Sequence, residues 1–162
     1  MKLVSNTGPI IALAKIGKLD LLKSLAEEAI IPPFVHKELF GKLGTEAVLI
    51  EEGLRHFIRV VPFTTTEKST EAVLSELDEG EREAIAIAFG LGKDVLLLMD
   101  DHAGRQAARK MGVPVTGLLG LLLLAKERGL VNRIGPLIEK LRETGYWLSD
   151  EIVDVARKLA GE

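Results

Sequence analysis

Residues 95–117 read VLLLMDDHAGRQAARKMGVPVTG. Five apolar residues in a row, Val95 to Met99, are too few for a buried helix and too apolar for a half-exposed strand, so they read as a strand covered on both faces. Two aspartates follow, then an Ala- and Arg-rich helical stretch beginning near Ala103, then a second short apolar run, Val113-Pro114-Val115. Strand, acids, helix and strand in that order make one turn of a parallel sheet. Ligands of such sheets gather outside the carboxyl ends of the strands, which is where Asp100 and Asp101 fall.

The same alternation recurs on either side of this stretch. Leu3-Val4-Ser5, Ala29-Ile30-Ile31 and Phe57 to Val61 read as three more strands, making five with those at 95–99 and 113–115. Pro9 to Ile16 and Leu19 to Ala26 read as a broken helix pair, Pro33 to Phe40 as a helix opened by proline, and Glu81 to Phe89 as a small-residue helix. The expected class is α/β, a parallel sheet with helices on both faces. Residues 62–70, PFTTTEKST, read as a polar loop. From about residue 117 a helical tail is expected at Leu118 to Arg128, Arg133 to Arg142 and Asp150 to Lys158. Its last member carries Ser149 as N-cap, acids in its first turn and bases in its last. The leucine excess at 118–124 is suited either to covering the sheet or to a homodimer face.

Composition narrows the function. The chain has 162 residues, 47% hydrophobic and 28% charged, with 21 basic against 24 acidic side chains and no cysteine. That is the size of one domain, expected to span 1–162. Zero cysteines remove disulfide frameworks, thiolate zinc sites and thiol nucleophiles. The N-terminal stretch does not read as a signal peptide, and the most apolar run, Val113 to Ala125, falls short of the roughly 20 residues of a membrane span. A cytoplasmic protein with no membrane association is expected. One Gln and two Asn beside many Leu, Glu and Lys resemble a thermophile's composition. A net charge of −3 argues against a protein coated in basic charge but leaves room for a local basic patch.

Four acids and one amide converge on the carboxyl edge of the expected sheet. Asn6 ends the first strand, Asp100 and Asp101 end the fourth, Glu38 lies in the helix after the second, and Glu81 opens the helix before the fourth. Helical spacing puts Glu38 on one side with Val35 and Leu39, and Glu81 with Ala84, Ile85 and Ala88. A carboxylate partly removed from water beside like charges needs a proton or a cation. Mg²⁺ and Mn²⁺, hard ions that favour oxygen donors and serve phosphate substrates, are the natural cations. The plainer alternative is that each glutamate is a solvated helix residue and that one aspartate merely caps the helix after it.

The segments VSNTGPIIALAKIGKLDLL, IPPFVHKEL, LDEGEREAIAIAFGLG and VLLLMDDHAGRQAARKMGVPVTGLLGLLLLAKERGL resemble, in order and spacing, the PIN-domain superfamily, specifically a prokaryotic PIN-like branch related to VapC-type toxins. The resemblance covers nearly the whole chain. It implies a three-layer α/β/α sandwich around a parallel sheet and Mg²⁺- or Mn²⁺-dependent cleavage of single-stranded RNA. Position by position, it implies acidic sites at Asn6, Glu38, Glu81 and Asp100, with Asp101 adjacent and Thr7 as the neighbouring hydroxyl; Glu38, Glu81, Asp100 and Asp101 would be the metal ligands. The departure is Asn6, where nuclease members carry aspartate and this branch resembles an asparagine-bearing one. An amide oxygen still coordinates, but it brings no charge, so metal affinity and water activation should both weaken.

Arg105 and Arg109 stack at i, i+4 after the acids and are suited to steering a phosphate backbone, or to forming a solvated basic face. Thr116, ending the fifth strand, is a second candidate substrate contact. His102 reads as a solvated first-turn residue. His36 and His56 fit no zinc spacing, and the glycines at 8 and 117–120 match no nucleotide-binding motif. Tyr146 and Trp147, in the tail, read as packing residues. Two functions follow: a metal-dependent ribonuclease, plausible as the toxin of a toxin–antitoxin pair and as a homodimer, or a non-catalytic PIN-like module binding RNA or a protein partner. A phosphoacceptor built on Asp100-Asp101 has its acids in the wrong chain order.

Overall fold

The apolar runs do line up side by side. In a computed structural model, which describes residues 1–40, 44–62 and 73–162, β1 (Lys2–Ser5), β2 (Glu28–Ile31), β3 (Ile58–Val60), β4 (Val95–Leu98) and β5 (Val115–Thr116) form one sheet. Its order is β3-β2-β1-β4-β5 and every pairing is parallel. β1 lies against β4 with Lys2 opposite Val95 and Ser5 opposite Leu98. From β1 the chain runs outward through β2 and β3, then returns to build β4 and β5 on the other side. The β1–β4 junction is therefore the topological switch point, the place where open parallel sheets hold ligands.

Nine helices flank the sheet among the described residues: α1 (Thr7–Lys15), α2 (Leu21–Leu25), α3 (Pro33–Phe40), α4 (Glu46–His56), α5 (Glu79–Leu91), α6 (His102–Lys110), α7 (Leu118–Glu127), α8 (Gly135–Glu143) and α9 (Asp150–Ala160). Strand residues alternate between two cores. Leu3, Ala29, Ile31 and Leu98 join α1, α3, α7 and the tail on one side. Val4, Ile30, Leu97 and Met99 join α5 and α6 on the other. This is the α/β/α sandwich. Full burial of each Leu or Ile contributes about 1.5–3 kcal/mol, so both faces hold the sheet in register.

Departures from the sequence reading have local causes. The fifth strand pairs at Val115–Thr116, not 113–115, because the Val113 N–H still closes the end of α6 on the Ala108 carbonyl and Pro114 has no N–H to offer. Helix α1 starts at Thr7 rather than Pro9, since proline is tolerated in a first turn whose N–H groups lack partners. Helix α4 was not expected at all: of EAVLIEEGLRH only Ile50 and Gly53 are buried, too thin a stripe to read as periodic. The loop expected at 62–70 lies, apart from Pro62, outside the described residues. Ser149 caps α9 as expected, accepting from the Ile152 N–H at 3.2 Å.

The leucine run resolves in favour of covering the sheet: Leu118, Leu119, Leu121 and Leu122 are buried in the larger core. The tail is pinned by Glu162, whose side chain is only 5% exposed. It accepts from Lys126 Nζ at 2.8 Å and from the Ile134 and Gly135 N–H groups at 2.9 and 3.0 Å, at the N-terminus of α8. No helix among the described residues is long and apolar enough to cross a membrane.

Candidate active site

At the switch point β1 ends in Ser5 and the next residue, Asn6, is buried as N-cap of α1. Its amide Nδ2 donates to Asp100 Oδ1 at 3.1 Å, joining the ends of two adjacent strands. Its other amide atom, Oδ1, is buried without a hydrogen-bond partner. Turning the amide over would set that oxygen against the Asp100 carboxylate, so the orientation is fixed by charge. An orphaned buried carbonyl costs about 1–3 kcal/mol and calls for an explanation.

The next two residues shape the floor. Thr7 Oγ1 donates to Glu38 Oε1 at 2.8 Å, bringing the α3 carboxylate in from the neighbouring strand's helix. Gly8 leaves room for Asp100: a Cβ there would fall on the Asp100 carboxylate. Glu38 follows from the expected stripe, with Val35 and Leu39 both buried below it. The Phe34 N–H, at the start of α3, donates to Glu83 Oε2 of α5 at 3.0 Å, which ties together the two helices that carry Glu38 and Glu81.

Glu81 arrives by a capping box. The Asp78 side chain accepts from the Glu81 N–H at 2.8 Å, and Glu81 Oε2 accepts from the Asp78 N–H at 3.1 Å. The helix therefore begins at Glu79, two residues before the sequence reading put it. The D-x-x-E spacing that signals such a cap was there to be seen at 78–81. Burial pushes the Glu81 carboxyl up to about 7, the charges of Asp78, Asp101 and Asp100 push the same way, and the bond from the Asp78 N–H opposes them.

Together Asn6, Thr7, Glu38, Asp78, Glu81 and Asp100 line a cavity of about 200 Å³, with Gly8 and Gly80 completing it. Five of the sequence-predicted residues, Asn6, Thr7, Glu38, Glu81 and Asp100, are thus brought together, and Asp78 joins them unforeseen. Asp101 sits at the margin: its Oδ2 accepts from the Gly104 N–H at 2.7 Å, so it caps α6, although its charge still reaches Glu81. Arg105 turns back so that Nη1 donates to the carbonyls of Met99 and Asp100 at 3.2 and 2.7 Å, fixing the turn that presents Asp100. Thr116 does not line the cavity; its Oγ1 donates to the Gly117 carbonyl at 3.2 Å. His102, Arg109 and Lys110 are exposed on α6.

No three His, Cys, Asp or Glu side chains are grouped to hold a metal ion among the described residues. The donors nonetheless fit a hard cation that keeps most of its waters. Mg²⁺ is typically held by one or two carboxylates plus substrate phosphates. Asn6 Oδ1 is an unpartnered oxygen beside the Asp100 carboxylate, and Glu81, raised by burial and then by its acidic neighbours, is a carboxylate whose charge a cation would relieve.

The chain is thus a parallel α/β/α sandwich with an acid-lined cavity at its switch point, and a PIN domain of that build is a nuclease-type fold. The match to known families gives it a name: the model of the PIN-domain family DUF3368 covers residues 2–162, and the chain belongs to that family. None of the curated proteins compared with it matches the chain.

Proposed function

We propose that the chain is a ribonuclease that hydrolyses phosphodiester bonds of single-stranded RNA with Mg²⁺ or Mn²⁺ bound in the acidic cavity. The observation that carries this reading is the buried, unpartnered Asn6 Oδ1 beside Asp100 at the β1–β4 junction. Asn6, Asp100 and Glu81 would hold the ion, with Glu38 and Asp101 completing the acidic surround. When bound, the ion supplies a water of lowered pKa and neutralises the charge that develops on the phosphate. Thr7 keeps Glu38 turned into the cavity through its hydroxyl. Arg105 keeps the Asp100 backbone in place through two carbonyls. In the hydrolysis a water oxygen bonds to phosphorus, the P–O bond to the leaving ribose oxygen breaks, and that oxygen takes up a proton.

The fuller proposal is the toxin of a toxin–antitoxin pair, working in the cytoplasm where its RNA is. Pairing with a second copy and neutralisation by an antitoxin belong to the same proposal. The tail leaves Trp147, Ile152, Val155 and Leu159 exposed, apolar surface of the kind such contacts use. A second reading, a PIN-like module that binds RNA or a protein without turnover, draws support from Asn6 in a position where a carboxylate would bind metal harder. Incubation of purified protein with labelled single-stranded RNA and Mn²⁺ separates the two. Cleavage lost in Asp100→Asn and Glu81→Gln supports the enzyme; binding without cleavage supports the module; cleavage indifferent to both substitutions removes this site from the chemistry.

A further inference from the structure

A second hollow adjoins the acidic cavity. Of about 170 Å³, it runs between α1 and the end of α8, with Ile11, Ala12 and Lys15 on one wall, Tyr146 on the other, and Gly8 and Asp100 on the rim it shares with the acids. Because Gly8 has no side chain, the Asp100 carboxylate fits against it and forms the rim common to both hollows.

The sequence builds the far wall deliberately. Helix α8 ends in a Schellman motif: Gly145, at φ 91°, donates its N–H to the Arg142 carbonyl at 3.0 Å, and Tyr146 donates its N–H to the Leu141 carbonyl at 3.0 Å. The left-handed glycine reverses the chain and lays the Tyr146 ring against the larger core. The phenol stays half-buried, and its hydroxyl has no hydrogen-bond partner among the described residues. Burial pushes its pKa up to about 12, with the Asp100 charge adding to the shift and Arg105 opposing it, so it is an O–H donor at every working pH. Across from it, Lys15 is exposed and has no ion-pair partner among the described residues. Arg105, whose Nη1 donates to the Met99 and Asp100 carbonyls, adds a positive charge that is felt at the same phenol.

The shared rim is thus anionic through Asp100, and the rest of the hollow offers one cation, Lys15, and the Tyr146 O–H donor over an apolar floor of Ile11 and Ala12. We infer that this hollow is a subsite for the RNA strand next to the phosphate being cleaved, with the Lys15 ammonium and the Tyr146 hydroxyl holding a neighbouring phosphate and the tyrosine ring and floor receiving its nucleoside. The inference rests on the ribonuclease reading and adds to it the residues that draw a polyanion toward an acidic crevice. Charge attraction supplies most of the affinity for a nucleic-acid backbone, and an aromatic face accepts any base.

The test is fluorescence anisotropy with a labelled single-stranded oligoribonucleotide in EDTA, where nothing is cleaved, followed by steady-state cleavage in Mn²⁺. Tyr146→Phe keeps the ring and removes only the donor; it should weaken binding about five- to tenfold with an unchanged melting temperature. Lys15→Ala should lower the slope of log affinity against log salt by about 0.7, the share of one phosphate on a single strand, and Lys15→Arg should restore it. In cleavage both losses should raise KM and leave kcat nearly intact, a split that a merely structural role would not produce. Wild-type binding and cleavage with affinity, salt slope and KM unmoved by these substitutions would overturn the subsite and leave the ribonuclease reading standing. A wild-type chain that neither binds nor cleaves RNA overturns both.

Discussion

Replacing Glu81 by glutamine isolates the electrostatics of the crevice from its architecture. The capping box needs an acceptor at residue 81 for the Asp78 N–H and a backbone N–H for the Asp78 carboxylate; glutamine keeps both. Only the charge goes. In the metal-free protein the Glu81 carboxyl rises from 4.5 to about 7. Between those values the folded chain holds a proton that the unfolded chain has released, so stability falls as pH rises through the window and stays lowered above it. At 1.36 kcal/mol per unit the shift sets a ceiling of about 3 kcal/mol. The side chain is partly open to solvent, and screening reduces this to about 1 kcal/mol. Thermal melts in EDTA should therefore show wild type and Glu81→Gln nearly level at pH 5, with the variant about 2–4 °C higher at pH 8. Adding Mn²⁺ at pH 8 should then raise the wild type by more than the variant. Equal differences at the two pH values, or a variant that melts lower at pH 8, would mean that neither burial nor the neighbouring acids make the Glu81 charge costly, and the case for a cation in this cavity would lose its electrostatic footing.

Gly8→Ala places a methyl group where the Asp100 carboxylate lies. A displacement of that kind at a reacting centre costs about 10²-fold, so cleavage should fall steeply while circular dichroism stays native. Asn6→Asp sets a carboxylate against Asp100 where an amide N–H now donates; metal affinity in calorimetry should rise about tenfold while the metal-free protein melts lower. Weaker or unchanged affinity would show that residue 6 does not touch the ion. The Glu162 carboxyl, held down to about 2 chiefly by Lys126, contributes stability that is full above the ordinary value of 4.5 and is lost as pH falls toward 2. Glu162→Gln should accordingly melt earlier than wild type at pH 7 and by a smaller margin at pH 2; equal margins would contradict the clasp.

The fold was legible because both faces of the sheet are covered. That forces VLLLM and its counterparts to be apolar without interruption, and the alternation of runs and helices marks each strand along the chain, although not their order β3-β2-β1-β4-β5 in the sheet. Asp100 was legible for the same reason, since it directly follows the strand that decides the fold. Helix α4 escaped because its burial rests on Ile50 and a glycine, which leave no periodic stripe. Asp78 escaped although its spacing to Glu81 is a recognisable cap. Which aspartate caps α6 was not readable: Asp100 and Asp101 are chemically identical, and only the turn after β4, held by Arg105, sends one inward and the other to the Gly104 N–H. Tyr146 read as packing and does pack, but its hydroxyl's proximity to Asp100 depends on a contact between residues far apart in the chain, which no local pattern encodes.

An asparagine at the head of an acidic site changes what the resting protein must tolerate. With a carboxylate at residue 6, the β1–β4 junction would bury two like charges side by side, and only a bound cation or a shared proton would relieve them. The amide does part of that work itself by donating Nδ2 to Asp100, and it confines the deficit to one unpartnered oxygen. The metal-free chain is correspondingly easier to keep folded, while the drive to recruit an ion weakens. Under the ribonuclease proposal, fewer fixed negative charges also mean less repulsion of an RNA strand approaching before any ion is in place. In such a site, metal and substrate phosphate are best gathered together, the phosphate supplying the charge that Asn6 withholds, and the cations outside the crevice matter more than they would around a fully acidic one.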